Sequence, residues 1–255
     1  MYTNSAYWHQ SRVDFKDKKH SLFVGSCGTY RLYTVKKLPT HRPRGRVDYQ
    51  LLYIASGKAH FYFNGKEQVV SAGNMVLYRP KEEQRYYYYG AEHPEVYWVH
   101  FTGNNVKNIL RKYGIADDMH VICSGISMEY KQLYQNMIQE LQLKQEYYEE
   151  LLVNYLRQLF ILIHRQLLTK PRKKNPMIMD DMAQAVEYFR THYNKPVSIE
   201  DYAASHNISV SWFIQNFKQY TNTTPAQYVQ LLRTTNAKSL LETTNYNVSE
   251  ISNLV

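Results

Sequence analysis

A stripe of side chains near the C-terminal end has the chemistry to read a nucleic acid. In residues 210–220, VSWFIQNFKQY, helical spacing sets Ser211, Ile214, Gln215 and Lys218 on one side and Phe213, Phe217 and Tyr220 on the other. A glutamine can make paired hydrogen bonds to adenine, an isoleucine can touch the thymine methyl, and a serine can bond several base edges. Lys218 suits a phosphate. The pattern therefore predicts a helix that buries its aromatic face and presents its polar face to a major groove, although any three-helix bundle can imitate it. Metal and covalent chemistry have no comparable support. Cys27 and Cys123 are the only cysteines, no Cys-x-x-Cys or His-x-His occurs, and His41, His60, His93 and His100 are scattered. No catalytic residue, metal or cofactor is expected, and the chain is read as a non-enzyme.

The elements around that stripe have helix-turn-helix spacing. Residues 197–206, VSIEDYAASH, make a short helix in which Ser198 caps the first turn and Asp201 follows three residues on. Asn207 tolerates the left-handed backbone of a tight turn, and Ser209 caps the second helix. Thr224 then caps a long helix over residues 225–242 whose first position is Pro225, where the missing N–H costs nothing. After TNYN, residues 244–247, a further amphipathic helix begins and the sequence ends.

The preceding segment has a different texture. Hydrophobic content of 44% is enough for cores, and 25 tyrosines suit strands and binding pockets alike. From about Leu22 to Phe101, short alternating runs (30–35, 49–55, 59–63, 68–70, 74–78, 96–101) are separated by turn residues, with FNGK the sharpest hairpin signal. These predict an antiparallel sandwich or small barrel. Residues 129–143 and 147–168 read as an antiparallel helix pair. The second carries an apolar stripe wide enough to leave Leu151, Leu152, Leu159 and Leu162 for a twin subunit, unless the whole stripe packs on the sheet. TKPRKKNPM, 169–177, reads as a linker, and 180–192 as a helix.

These residues resemble a known family. Phe217-Lys218, Pro225, Tyr228, Arg233, Ala237 and Leu240-Leu241, preceded by Ser209 and Trp212-Phe213, are spaced as in the first half of the DNA-binding domain of AraC/XylS transcription regulators. The family joins two helix-turn-helix units by a long helix, so residues 247–255 resemble the start of a second unit that is incomplete here. The chain departs from the pattern at Asn222, usually Gly, and at Asn216, usually Leu. Residues 20–103 are similar to the family's sugar-sensing cupin domain, through HRP (41–43), AGNMVLYRP (72–80), Tyr89-Gly90 and YWVHF (97–101). That resemblance implies effector contacts from Arg42, Tyr89 and Trp98, with Val96 replacing a polar contact.

The expected fold is α+β: an N-terminal antiparallel β-barrel of cupin or jelly-roll type with a helix pair (1–168), a linker (169–179), and an all-α helix-turn-helix domain (180–255). The expected function is a DNA-binding transcription regulator answering to a small, carbohydrate-like effector. DNA contacts are assigned to Ser209, Ser211, Ile214, Gln215, Lys218, Thr224 and Arg233. Partners are double-stranded promoter DNA, the effector, a second copy of the chain and RNA polymerase. Alternatives are a metal-dependent cupin enzyme acting on a sugar, or a sensor and dimerisation fragment with impaired DNA binding. The formal charge of +9 argues little, because residues 1–169 hold 22 basic against 15 acidic residues (+7) and residues 170–255 only 9 against 7 (+2). No apolar run spans a membrane and the N-terminus lacks a secretory core, so the cytoplasm is expected. The polar residues 1–19 read as an unpatterned arm.

Overall fold

Asn64 and Gly65 adopt φ of 52° and 76°, the left-handed pair that a two-residue hairpin needs. They fold β5 (Lys58–Phe63) back on β6 (Lys66–Ser71), as FNGK predicts. The computed structural model of the chain describes residues 1–8, 15–32, 35–168, 176–221 and 223–255, and these divide into two units, Met1–Lys170 and Pro171–Val255.

The first unit is built of two antiparallel sheets. The larger contains β1 (Tyr2–Tyr7), β2 (Phe23–Arg31), β4 (Tyr49–Ser56), β7 (Asn74–Tyr78), β9 (Glu95–Thr102) and β10 (Val121–Cys123), in the order β1-β2-β9-β4-β7-β10. The smaller adds β3 (Lys37–Arg42) and β8 (Gln84–Tyr89), in the order β3-β8-β5-β6. Among the described residues no ladder joins the sheets, so the expected closed barrel is seen as two separate sheets. The ends of the smaller one resist further pairing: β3 contains Pro39, which has no N–H to donate, and β6 opens with Lys66 and Glu67.

Strand alternation gives the larger sheet two buried faces. Leu51, Tyr53, Met75, Leu77, Tyr97, Val99 and Phe101 pack with α1 (Val106–Lys112), α2 (Met128–Leu143) and α3 (Tyr148–Leu168). Leu52, Ile54, Val76, Tyr78, Val96 and Trp98 face the smaller sheet, against Phe61, Tyr86 and Tyr88. At about 1.5–3 kcal/mol per fully buried large side chain, these two layers are the main stabilising term of the unit. A polar clamp crosses the first layer. Glu95 accepts hydrogen bonds from Arg31 Nη2 at 2.6 Å, Lys131 Nζ at 2.8 Å and the Tyr97 hydroxyl at 2.8 Å, tying β2, β9 and α2 together.

Several expectations are corrected. Leu152 and Leu159 lie fully inside the helix–sheet core and Leu162 packs half-buried against it, so of the four leucines assigned to a twin subunit only Leu151 is exposed. A 3.6-residue period wraps the stripe around the helix, and the sheet takes most of it. The strand expected at 30–35 instead ends at Arg31, with 33–34 outside the described residues. The N-terminal arm is partly a strand: β1 pairs with β2 from Tyr2↔Arg31 to Tyr7↔Ser26, Trp8 Nε1 donates to Glu149 at 2.7 Å, and Lys144 Nζ donates to the Trp8 carbonyl at 2.9 Å. Residues 9–14 lie outside the description.

The second unit is helical, with α4 (Pro176–His192), α5 (Ile199–Ser205), α6 (Val210–Thr221), α7 (Pro225–Thr243) and α8 (Val248–Leu254). Most of the expected linker, 169–175, lies outside the described residues, and its last part, 176–179, is already α4. Proline at a helix start forfeits no intrahelical bond, which is why Pro176 opens an element rather than ending one. The caps follow the sequence. Ser198 Oγ accepts from Asp201 N at 3.0 Å, and Ser209 Oγ from Trp212 N at 3.2 Å. Thr224 and Gln227 form a reciprocal capping box, as do Asn247 and Glu250.

Candidate effector site and nucleic-acid interface

The space between the two sheets has a polar end and an apolar end, and strand register produces both. On the inner face of the larger sheet Tyr78, Gln50, His100 and Ser26 form one cross-strand row. The next row is Val76, Leu52, Trp98 and Gly28. Gly28 is required there, because a Cβ at that position would lie 2.5 Å from the Trp98 ring. Facing them on the smaller sheet, Gln84, Tyr86 and Tyr88 alternate inward along β8 and Arg42 pairs with Gln84 across the ladder.

Hydrogen bonds stitch the polar end. Arg42 Nη1 donates to Gln84 Oε1 at 2.9 Å and Gln50 Nε2 to the Tyr86 hydroxyl at 3.4 Å, while at the apolar end the Tyr30 hydroxyl donates to that of Tyr88 at 2.9 Å. Arg46 and Asp48 make a buried bidentate pair at 2.7 and 2.9 Å. Burial favours protonation of Asp48, but Arg46 and His100 outweigh it and hold the carboxyl below its usual range. His100 Nδ1 is 3.6 Å from Asp48 Oδ1, too long for a hydrogen bond. Burial lowers the pKa of this imidazole, with Asp48 opposing and Arg46 assisting, so the neutral ring is favoured at neutral pH.

Of the three residues assigned to an effector, Arg42 and Trp98 thus share the inner space and Tyr89 does not. Tyr89 pairs with Lys37 and lies on the outer face of the smaller sheet with Tyr87, edge-on to His60 at 5.1 Å between centroids. The correction follows from strand alternation: in RYYYY only Tyr86 and Tyr88 point inward. On that outer face His60 lies between Glu67 and Glu92, 2.8 Å from each carboxylate. Among the described residues no group of three or more His, Cys, Asp or Glu could hold a metal ion.

In the second unit, α6 buries Phe213, Phe217 and Tyr220 and exposes Ser211, Gln215 and Lys218, with Ile214 half-buried. The buried rings form a cluster: Phe217 lies 5.5 Å from Phe189 and from Phe213 and 5.6 Å from Tyr228, and Phe213 lies 5.0 Å from Tyr202. Ser209 and Thr224 face outward in part while serving as caps. Arg233 is drawn elsewhere. Its Nε donates to the Tyr193 carbonyl at 2.8 Å and its Nη2 to the Lys195 carbonyl at 2.9 Å, so it fastens α7 to the loop after α4 instead of facing outward with the α6 stripe. Asn216 does sit half-buried, and satisfies its amide on the Trp212 carbonyl at 2.8 Å; Asn222 lies outside the described residues.

The model of the AraC-like ligand binding domain matches residues 24–181. The chain belongs to the AraC family. Among its AraC-family relatives are the lactose operon transcription activator of Staphylococcus xylosus, 26% identical over 79% of this chain and 73% of that one, and the Msm operon regulatory protein of Streptococcus mutans, 24% identical over 84% and 77%. The raffinose operon transcriptional regulatory protein RafR of Pediococcus pentosaceus is 25% identical over 86% and 80%. Two of these three regulators are named for sugar operons, lactose and raffinose. Sequence reasoning did not single out Gln50, Gln84 and His100 as buried polar residues between the sheets. A lone polar residue in an otherwise apolar run, as Gln50 in YQLLYIA, is the available signal.

Proposed function

We propose that the chain is a transcription regulator that binds promoter DNA through α6 and a small carbohydrate between the two sheets. One observation carries the DNA reading. With Phe213 and Phe217 sealed in the core, the outward side of α6 presents Ser211, Gln215 and Lys218, a hydroxyl, an amide and a cation suited to base edges and phosphate. The short α5, the turn at Asn207 (φ 54°) and the capped α6 support a helix-turn-helix that docks α6 in the major groove. Arg42 and Trp98, an arginine and an indole in the same space, support a sugar as effector, as do the lactose and raffinose operons that the relatives are named for. Tyr7 at the end of β1 lies 6.2 Å from Trp98 between ring centroids, which makes the arm the natural element for an effector to hold or release. An effector must favour one arrangement over another for that coupling to exist. The outward residues of α3, including Leu151 and Ile161, each 38% exposed, support a second copy of the chain as partner, and RNA polymerase follows from the regulatory role.

The test is electrophoretic retention of promoter fragments by the full chain across a salt series. Gln215→Ala is expected to lower affinity for the preferred fragment by about 1–3 kcal/mol, roughly fivefold to a hundred-and-fifty-fold, and hardly affect unrelated DNA. Lys218→Ala should weaken binding to every fragment and reduce the salt slope by about 1. Failure to retain any fragment at low salt overturns the DNA reading.

A further inference from the structure

Four buried polar atoms at the polar end of the inter-sheet space have no hydrogen-bond partner among the described residues: Gln50 Oε1, Gln84 Nε2, Tyr78 Oη and His100 Nδ1. Their residues are 3%, 0%, 1% and 5% exposed. Leaving a buried donor or acceptor unmatched is costly, and such atoms in a native interior call for an explanation. Two of them have opposite character. Gln84 Oε1 accepts from Arg42, a side chain that can only donate, so its Nε2 is fixed as a free donor. Gln50 gives its Nε2 to Tyr86 and leaves Oε1 as a free acceptor. Gln84 stands two residues before Tyr86 on β8, so the two free groups lie on opposing sheets with an offset of about 7 Å along the strand.

Resting on the reading of this space as a carbohydrate site, we infer that Gln50 and Gln84, with His100, are its specificity-determining residues, and that they select an uncharged ligand with adjacent hydroxyls. A hydroxyl both donates and accepts, so a hydroxylated ring edge satisfies Gln50 Oε1 and Gln84 Nε2 together. A carboxylate or phosphate only accepts. It would be served by Gln84 but would set a negative oxygen against Gln50 Oε1. Of the cations at that end, Arg46 is already paired with Asp48 and the lowered pKa of His100 keeps it neutral, which leaves Arg42, held by Gln84 Oε1, as the charge that a carboxylate or phosphate would have to reach. Sites built to bond hydroxyls reject analogues that leave those groups unmatched far more strongly than apolar pockets reject size changes.

Binding to the full-length chain is measured by titration calorimetry, using galactose, glucose, lactose, melibiose and raffinose as neutral probes. Galacturonate, glucuronate and the 6-phosphates of galactose and glucose are the charged ones. At least one neutral probe is expected to bind, and the charged forms of its hexose should bind at least tenfold more weakly. Gln84→Glu, which replaces the free donor by an acceptor, should lower affinity for the neutral probe at least tenfold, and Gln50→Leu likewise, with far-UV circular dichroism checking that each variant folds. A charged form that binds as tightly as its neutral parent overturns the selectivity and leaves the carbohydrate reading standing. Binding by none of the probes overturns the carbohydrate reading and this inference with it. The wild-type comparison needs no variant, so a misfolded substitution does not shelter the claim.

Discussion

Glu95→Ala is expected to destabilise the first unit by about 3–5 kcal/mol, the cost of removing one partner from a buried ionic cluster. The carboxylate is almost wholly buried and receives Arg31, Lys131 and the Tyr97 hydroxyl at once. Without it Lys131 keeps a largely buried charge with no counter-ion, and the tie between β9 and α2 is lost. The same cluster sets a pH dependence. Burial alone would raise the Glu95 pKa, but Lys131 first and Arg31 second reverse this and bring it from 4.5 to about 2. A carboxyl whose folded pKa is depressed gives its full stabilisation above its unfolded pKa and loses it as pH falls through the folded value. The contribution, on the order of 3 kcal/mol, should therefore be present above pH 4.5 and fade toward pH 2. Urea unfolding of wild type and Glu95→Gln at pH 7 and pH 3 checks this. The gap between them should narrow at the lower pH, and a gap below about 1 kcal/mol at pH 7 would show the cluster to be energetically idle.

Local chemistry made some of the fold readable. FNGK needs no tertiary context, since only Asn and Gly accept its backbone cheaply, and the same holds for the Thr224–Pro225 helix start. What depended on distant partners was hidden. The strand β3 contains Pro39 and falls outside the alternating runs, yet an edge position lets the ladder dispense with that N–H. YTNSAY has little apolar patterning and becomes β1 because β2 offers an open edge. At the candidate sites the period of the element decided the outcome. Helical spacing separated Gln215 from Phe217 correctly, since both lie on one regular helix. Tyr89 could not be assigned a face without knowing which tyrosines of RYYYY pair inward. Arg233 needed the Tyr193 and Lys195 carbonyls, about forty residues away in sequence, to reveal a structural task.

Phe217→Ala should cost the second unit about 3–5 kcal/mol, the usual penalty for emptying a buried phenylalanine site. The ring is fully buried and meets Phe189 of α4, Phe213 of α6 and Tyr228 of α7, so one cavity loosens three helices. Against a total stability on the order of 5–15 kcal/mol for a whole domain, that loss should lower or abolish the melting transition of this unit. DNA retention should fall with it on every sequence, because α6 no longer has a surface to stand on. Gln215→Ala makes the opposite pairing: an unchanged melt with affinity lost only for the preferred fragment. The two variants together distinguish a helix that reads bases from one that only completes a bundle. If Phe217→Ala unfolds the second unit and the chain still retains the preferred fragment at full affinity, α6 is not the reading element. If it leaves the melt unchanged, the aromatic cluster does not hold α6 in place, and the outward stripe loses its physical support.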